Sequence, residues 1–431
     1  TREIFIDVLL REAGWDIDAP NVREYPVEGL PVAVNKTGRG NADYVLWGQN
    51  GKPLAVIEAK RTSKEAYQGQ HQAELYADCL ERMHGQRPII FFTNGYDAWI
   101  WDDTFYSARP ISGFLTREEL QLLIDRRQSR QDIRTLRPNT EIAGRHYQME
   151  GIQRVMETFA KEADGQLRGG KRSALIVMAT GAGKTRTAAA IVELLSKANW
   201  VKRVLFLADR SALVKQAKKA FKQHTPHLSA IDLTQEKEET DTRLVFSTYP
   251  TMMNRIDGAR SGDARLFTPG HFDLIIVDEA HRSVYQKYNA IFEYFDALLL
   301  GLTATPKDQA DKDTYELFDC EVRNPTFSYD IEEAVRDGYL VPPRGEKVNL
   351  GFVRRGIHYN DLSEEEQAEY ESTFRDEAGE VPEHIDASAI NSWLYNHDTI
   401  DKVIDHLMQK GQRVAGGDKM GKSIIFAKNH K

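Results

Sequence analysis

Apolar residues recur at helical spacing between Glu3 and Glu12, where Ile4, Val8, Leu9 and Leu10, with Ile6 on a flank, predict an amphipathic helix stopped by Gly14. A strand pattern follows. Asp43-Tyr-Val-Leu-Trp47, a Gln49-Asn-Gly51 turn and Pro53-Leu-Ala-Val-Ile-Glu-Ala-Lys60 read as a hairpin with charged residues set inside apolar strands. Residues 63–83 read as a helix, and Ile89-Ile-Phe-Phe-Thr93, Asn94-Gly95 and Ala98-Trp-Ile-Trp101 as a second hairpin, giving a mixed α/β unit that ends near Asp125. From Arg145 the pattern changes to short apolar runs at 174–178, 204–208, 244–247, 273–277 and 298–302 alternating with helices. Strands that are apolar throughout are covered on both faces, so these predict a parallel sheet between helical layers. Residues 345–385 turn acidic, with Glu364-Glu-Glu366, and read as a solvated insertion; a helix near 388–409 and a strand at Lys422-Ser-Ile-Ile-Phe-Ala427 would open a third unit.

The fold class is thus α/β, divided as a first domain over 1–125, a linker over 126–144, a parallel-sheet domain over 145–340, a connecting segment with the acidic insertion over 341–387, and the incomplete start of a further domain over 388–431. The chain opens on Thr1 and stops soon after that last unit begins, so it is expected to be part of a longer protein.

Composition narrows the chemistry. With 431 residues, 41% of them hydrophobic, several cores are possible. Lys plus Arg is 57 against 65 for Asp plus Glu, a formal net charge of -8, so any site for a polyanion must be local. Cys79 and Cys320 match no metal spacing and form no disulfide framework, which suits a reducing cytosol. No apolar run reaches membrane-spanning length, so a cytoplasmic protein without membrane contact is expected. The linker holds five arginines between 126 and 137, followed by Pro138; they form either a solvated face or a phosphate contact. A second basic cluster, Lys215, Lys218, Lys219 and Lys222, reads as one solvated helix face.

Two motifs carry chemistry in the larger domain. Ala174-Leu-Ile-Val-Met-Ala-Thr-Gly-Ala-Gly-Lys-Thr185 is a buried strand, a small-residue loop and a Gly-Lys-Thr that opens a helix. Backbone N–H groups across Thr180, Gly181, Ala182 and Gly183 would face a polyphosphate, Lys184 would add a point charge at its outer phosphates, and Thr185 Oγ would ligate Mg²⁺. The full pattern asks for Gly at 178, where this chain has Met178. Phe272-Asp-Leu-Ile-Ile-Val-Asp278-Glu279-Ala280-His281 is an apolar strand ending in adjacent acids; Asp278 would hold Mg²⁺ and Glu279 would position and deprotonate an attacking water. Acids at the carboxyl ends of such strands lie where open α/β sheets bind ligands.

In the first domain Asp43 and Glu58-Ala-Lys60 face each other across the predicted hairpin, with Glu58 and Lys60 on one strand face. Two converging carboxylates can hold Mg²⁺ while the lysine activates water and stabilises charge on a phosphodiester; a cross-strand salt bridge is the other reading. Charged groups inside the run Leu54–Ile57 and its continuation are costly to place there without a role.

Taken together, Tyr147-Gln148, Ala179-Thr-Gly-Ala-Gly-Lys-Thr185, Asp278-Glu-Ala-His281 and Thr303-Ala-Thr305-Pro306 resemble the motor core of superfamily 2 helicases and translocases, with its P-loop and DEAH box. That resemblance implies an ATP-dependent, RecA-like first lobe in which Gln148 reads adenine, Arg145 assists it, Thr303 and Thr305 couple nucleotide state to the DNA track, and Arg210 and Ser247-Thr248 hold backbone phosphates. It also implies a second lobe carrying arginines that this chain does not reach. Asp43, Glu58-Ala-Lys60 and Gln72-Ala-Glu-Leu-Tyr76 resemble the PD-(D/E)xK nucleases with a Gln-x-x-x-Tyr helix, Ala42 standing where that family has Pro. Gln72 and Tyr76 would then brace the site or touch the DNA backbone, and Glu12 is the candidate for an extra metal contact.

A nuclease placed ahead of such a motor resembles the restriction (R) subunit of type I restriction–modification systems; type III subunits carry the nuclease after the motor. The resemblance implies an ATP- and Mg²⁺-dependent endonuclease that translocates double-stranded DNA, cuts away from its recognition site, and works with modification (methyltransferase) and specificity subunits. The alternatives are a stand-alone repair helicase–nuclease and a nucleic-acid remodelling ATPase with an inactive nuclease domain.

Overall fold

A computed structural model of the chain describes residues 2–60, 69–236, 242–261, 264–279, 282–305, 312–342, 357–375, 379–385 and 397–424. Contacts divide it into a unit over Thr1–Pro342 and a smaller one over Pro343–Lys431.

The larger unit begins with helix α1 (Arg2–Glu12) and a six-stranded sheet of β1 (Arg23–Glu28), β2 (Arg39–Trp47), β3 (Pro53–Ala59), β4 (Ile89–Thr93), β5 (Ala98–Trp101) and β6 (Arg109–Ile111), ordered as in the chain. All neighbours are antiparallel except β3 and β4, which run parallel because helix α2 (Gln70–His84) crosses between them. Strand β3 is buried along its whole length. One face of the sheet packs on Ile6 and Leu10 of α1 and Leu120 of helix α3 (Arg117–Ser129), the other on Ala73, Tyr76, Ala77 and Leu80 of α2. The predicted hairpins at 43–60 and 89–101 lie within this sheet. Strand β1 gave no apolar alternation because it is an edge strand in which only Val27 is buried.

Next come helix α4 (His146–Phe159), the hairpin β7 (Ala160–Ala163) and β8 (Gln166–Gly169), and a seven-stranded sheet that is parallel throughout. Its strands are β9 (Ser173–Met178), β10 (Val204–Ala208), β11 (Ala230–Asp232), β12 (Leu244–Thr248), β15 (Leu274–Asp278), β16 (Leu298–Thr303) and β17 (Phe327–Tyr329), in the order β11-β12-β10-β15-β16-β9-β17. The small pair β13 (Arg260–Ser261) and β14 (Ala264–Arg265) lies outside it. Five of the seven strands are the predicted apolar runs; β11 and β17 are three-residue edge strands, too short to show a period. The helices are α5 (Lys184–Lys197), α6 (Ser211–His224), α7 (Tyr249–Gly258), α8 (Arg282–Tyr294), α9 (Lys312–Leu317) and α10 (Ile331–Arg336). Ala188, Ala189 and Ala190 are fully buried, and their small side chains let α5 approach the sheet closely.

The two sheets meet at a charged joint. From β6, Arg109 donates to both carboxylate oxygens of Asp296 at 2.7 and 2.6 Å, and Arg172 donates to Asp296 at 2.8 Å. Arg126 of α3 donates to Asp273, whose other oxygen accepts from the backbone N–H groups of Lys202 and Arg203 at 2.7 and 3.0 Å. Glu119, held in a capping box with Thr116, accepts from the Thr268 hydroxyl. Within the expected linker, Arg126 and Arg127 belong to α3, Arg127 donates to Asp102, Arg130 lies over the Phe105 ring and Arg134 pairs with Asp132, while Arg137 is exposed as a solvated face would have it. Arginines drawn into a joint need acids and rings about them.

Within the smaller unit, β18 (Ile357–His358) pairs with β19 (His384–Ile385), and helix α11 (Glu364–Phe374) buries Tyr370 beside Ile385. The acidic stretch is thus not wholly solvated; its charges ride on a helix with one packed face. Helix α12 (His397–Lys410) matches the predicted one in part and is followed by the pair β20 (Arg413–Val414) and β21 (Lys419–Met420). Lys422–Ile424 form no strand, and the rest of the segment expected to pair there, 425–427, lies outside the described residues.

Candidate functional site

The register that pairs Tyr44 with Ile57 carries on to set Asp43 beside Glu58. Asp43 Oδ2 accepts from the Ala59 N–H at 2.6 Å, and the Lys60 N–H donates to Thr93 O at 2.7 Å, which fixes the end of β3. Lys60 Nζ donates to Glu58 Oε1 at 2.8 Å and to Gln72 Oε1 at 2.5 Å, and Gln72 Nε2 donates to Tyr76 Oη at 2.8 Å. The pieces predicted from separate parts of the sequence therefore form one chain of contacts, Glu58–Lys60–Gln72–Tyr76, with Asp43 alongside. Burial raises the Tyr76 phenol, and although Gln72 lowers it, the nearby Glu58 and Asp43 raise it further. Glu58 is 4% exposed, so an ionised carboxylate here depends on cations close by. Glu12 lies elsewhere: it accepts from Arg260 at 3.1 Å and Arg265 at 2.9 Å, in the joint with the second sheet, because those guanidiniums satisfy a carboxylate at the end of α1.

At the second sheet, the loop after β9 uses left-handed backbone at Gly181 (φ +87°) and Gly183 (φ +96°), and a Cβ on Gly183 would meet Gln148 Nε2 at 2.5 Å. Only glycine fits there. Lys184 heads α5 with its amine 3.5 Å from Met178 O, and Thr185 follows half-buried. Gln148 is 3% exposed; its Nε2 donates to Ala182 O at 3.2 Å and its Oε1 accepts from the Arg145 N–H at 3.3 Å, so it braces the loop. Arg145 donates to Tyr147 Oη at 2.8 Å, and Tyr147 in turn donates to Ala182 O at 2.8 Å while stacking on Tyr329 at 3.8 Å. Tyr329 escaped sequence reading, since a short edge strand shows no pattern.

Asp278 ends β15, two strands from β9 with β16 between. Burial and the adjacent Glu279 push its carboxyl up to about 6, against the pull of Lys184. Glu279 adopts φ +54° and its N–H donates to Asp278 Oδ1 at 3.2 Å. Tyr249 Oη reaches the Asp278 carbonyl at 3.4 Å from beneath, a support no motif announced. Ala280, His281 and Pro306 lie outside the described residues. Thr303 is fully buried and its Oγ1 accepts from the Thr305 N–H at 3.1 Å. Thr248 Oγ1 is 2.9 Å from Thr251 Oγ1, and Arg210 is exposed beside Asp209 at the head of α6. The motif-bearing ends of β9, β15 and β16 thus share one sheet edge.

Residues 24–108 match the family model described as type I restriction enzyme R protein N terminus, and residues 141–308 that of the type III restriction enzyme res subunit. The chain is 30% identical over 371 residues to the type I restriction enzyme EcoAI endonuclease subunit of Escherichia coli, covering 80% of this chain and 43% of that one. These matches make the chain similar to the endonuclease (R) subunits of type I restriction enzymes. A second relative, the type I restriction enzyme EcoKI endonuclease subunit of Escherichia coli strain K12, is 26% identical over 421 residues, covering 78% of this chain and 34% of its own length. The chain therefore spans less than half the length of both curated relatives. A solved chain from Vibrio vulnificus YJ016, described as a fragment of an HsdR subunit of a type I restriction enzyme, is 24% identical with a TM-score of 0.34, covering 78% of this chain and 60% of that one.

The residues of this chain suit the groups that the resemblance implies. Mg²⁺ takes one or two carboxylates with water and phosphate oxygens, which Asp43 with Glu58, and Asp278 with Thr185, could supply. Among the described residues no cluster of three or more His, Cys, Asp or Glu side chains could hold a metal. No described helix is long and apolar enough to cross a membrane.

The raised Asp278 carboxyl has a pH consequence. Only its ionised form can hold a metal, so Mn²⁺ binding with a non-hydrolysable ATP analogue is expected to weaken about fourfold from pH 7.5 to 5.5. The metal-free protein should respond oppositely at this group. A carboxyl whose folded pKa is raised penalises folding above about pH 6, and that penalty is relieved as pH falls toward the ordinary carboxylate range. Equal Mn²⁺ affinity at the two pH values would contradict this assignment.

Proposed function

We propose that this chain carries both engines of a type I restriction complex: an ATP-dependent motor that moves double-stranded DNA and a Mg²⁺-dependent endonuclease that cuts it away from the recognition site. The observation that carries the reading is the pairing, in one chain, of the Asp43–Glu58–Lys60–Gln72 group on the first sheet with the phosphate loop and Asp278-Glu279 on one edge of the second.

In the motor, loop amides and Lys184 would bind the triphosphate of ATP, Thr185 and Asp278 would hold its Mg²⁺, and Glu279 would orient and deprotonate the attacking water. Thr303, which ends the neighbouring strand, and Thr305 just beyond it would relay nucleotide state to a DNA track that includes Arg210 and Thr248. Contacts to phosphate carry no sequence information, so such a motor runs on any DNA and leaves recognition to specificity and modification (methyltransferase) subunits in the cytoplasm. In the nuclease, Asp43 and Glu58 would hold Mg²⁺, which supplies Lewis-acid stabilisation of the phosphodiester when bound. Lys60, oriented by Gln72, would position the water, and Tyr76 would hold Gln72.

The test is cleavage of unmodified circular plasmid by the full-length subunit with ATP and Mg²⁺, with and without modification and specificity subunits. Cleavage is expected only with ATP and both partners. Cleavage without partners would replace this reading with a stand-alone repair helicase–nuclease, and ATP hydrolysis with no cleavage under any condition would replace it with a remodelling ATPase.

A further inference from the structure

Between the two sheets of the larger unit lies a cavity of about 40 Å³ lined by Asp102, Tyr106, Arg109, Arg126, Arg130, Arg172, Trp200, Asp273 and Asp296 among others. Its charges do not balance: four arginines face three aspartates, and Asp102 is also claimed by Arg127 from outside the lining. Nor do its hydrogen bonds. Among the described residues, Arg109 Nη1, Arg130 Nε and Arg130 Nη1 are buried and have no acceptor. Arg109 spends its other donors on Asp296, and Arg130 has only ring faces, Phe105 at 4.0 Å and Trp200 at 5.6 Å. A ring face attracts a cation but leaves in-plane N–H groups unsatisfied.

Water could accept those N–H bonds but cannot offset the surplus charge, and an uncompensated buried charge is among the costliest features a fold can carry. We propose that this joint is a binding site for one small inorganic monovalent anion, of the size and charge of chloride, held by Arg109 Nη1 and by Arg130 Nε and Nη1. The cavity holds a few water-sized spheres, which suits a halide and leaves no room for a nucleotide. The direction of titration agrees: burial, helped by the neighbouring Arg126, outweighs the opposing pull of Tyr106, Asp102 and Asp273 and brings the Arg130 guanidinium down to about 10, so it stays charged at neutral pH.

The position gives the site a consequence. Arg172 and Asp273 immediately precede β9 and β15, and Asp296 stands two residues before β16; the far ends of these strands carry the glycine loop, Asp278 and Thr303. An anion there would neutralise the joint through which the first sheet grips those strands, independently of which reaction the two sheets perform.

Crystals of the chain soaked in bromide decide the matter. An anomalous peak within hydrogen-bond distance of Arg109 Nη1 and Arg130 is expected, and a cavity filled only by water overturns the proposal. In solution, replacing 300 mM chloride by gluconate at constant ionic strength should lower Tm by about 2 °C. Arg130→Met, which keeps an apolar stem against Phe105, should abolish both the peak and the chloride dependence. A peak that survives in Arg130→Met marks an adventitious ion only, and a chloride dependence that survives there overturns the assignment of Arg130.

Discussion

Lys184→Ala is expected to lower ATP hydrolysis by the full-length subunit by about 10²- to 10³-fold, the loss typical of removing one preorganised donor from developing negative charge. Among the described residues the Lys184 amine lies 3.5 Å from Met178 O and exerts a pull on the Asp278 carboxyl, while the loop is held by Tyr147 and Gln148 through Ala182 O. The substitution should therefore leave Tm nearly unchanged, and circular-dichroism melts distinguish a chemical loss from unfolding. Cleavage should vanish with hydrolysis if the nuclease fires only after translocation. A variant that hydrolyses ATP at the parent rate would remove the phosphate loop from the proposed mechanism.

Lys60→Ala separates the two engines. Cleavage is expected to fall about 10³-fold while ATP hydrolysis stays within about twofold, because Lys60 acts only on the first sheet. Its ammonium donates to Glu58 at 2.8 Å and to Gln72 at 2.5 Å, both in the first domain. Taking it away leaves Glu58 in a buried position with less positive charge beside it, so some loss of stability is expected as well. Glu58→Gln controls for that: it removes the carboxylate charge along with the ligand and should abolish cleavage without the same destabilisation. Cleavage at the parent rate in both variants would make the Glu58–Lys60 pair a structural salt bridge. The Gln72→Ala variant should fall between, since it leaves Lys60 in place but no longer oriented.

Much of this arrangement was legible in the residue order, and the reason is local. Strands β9, β10, β12, β15 and β16 announced themselves because a strand covered on both faces must be apolar along its length, and Glu58 stood out because it breaks such a run. The glycines at 181 and 183 were legible because the turn they make needs left-handed backbone, which side chains disfavour. Edge strands β1, β11 and β17 bury too little to leave a pattern, and so the support that Tyr329 lends to Tyr147 was hidden with them.

By itself, then, the sequence determined the two sheets' central strands, the phosphate loop, the acid pair and the Asp43–Glu58–Lys60 group, each written in residues near one another or in a repeating period. Tertiary structure alone decided the joint. Arg109 finds Asp296 across 187 positions, Arg126 finds Asp273 across 147, and Glu12 finds Arg265 across 253. A charged residue looks the same in sequence whether it faces water or a distant partner, because its fate is set by which surfaces the folded sheets bring together, and no local period encodes that.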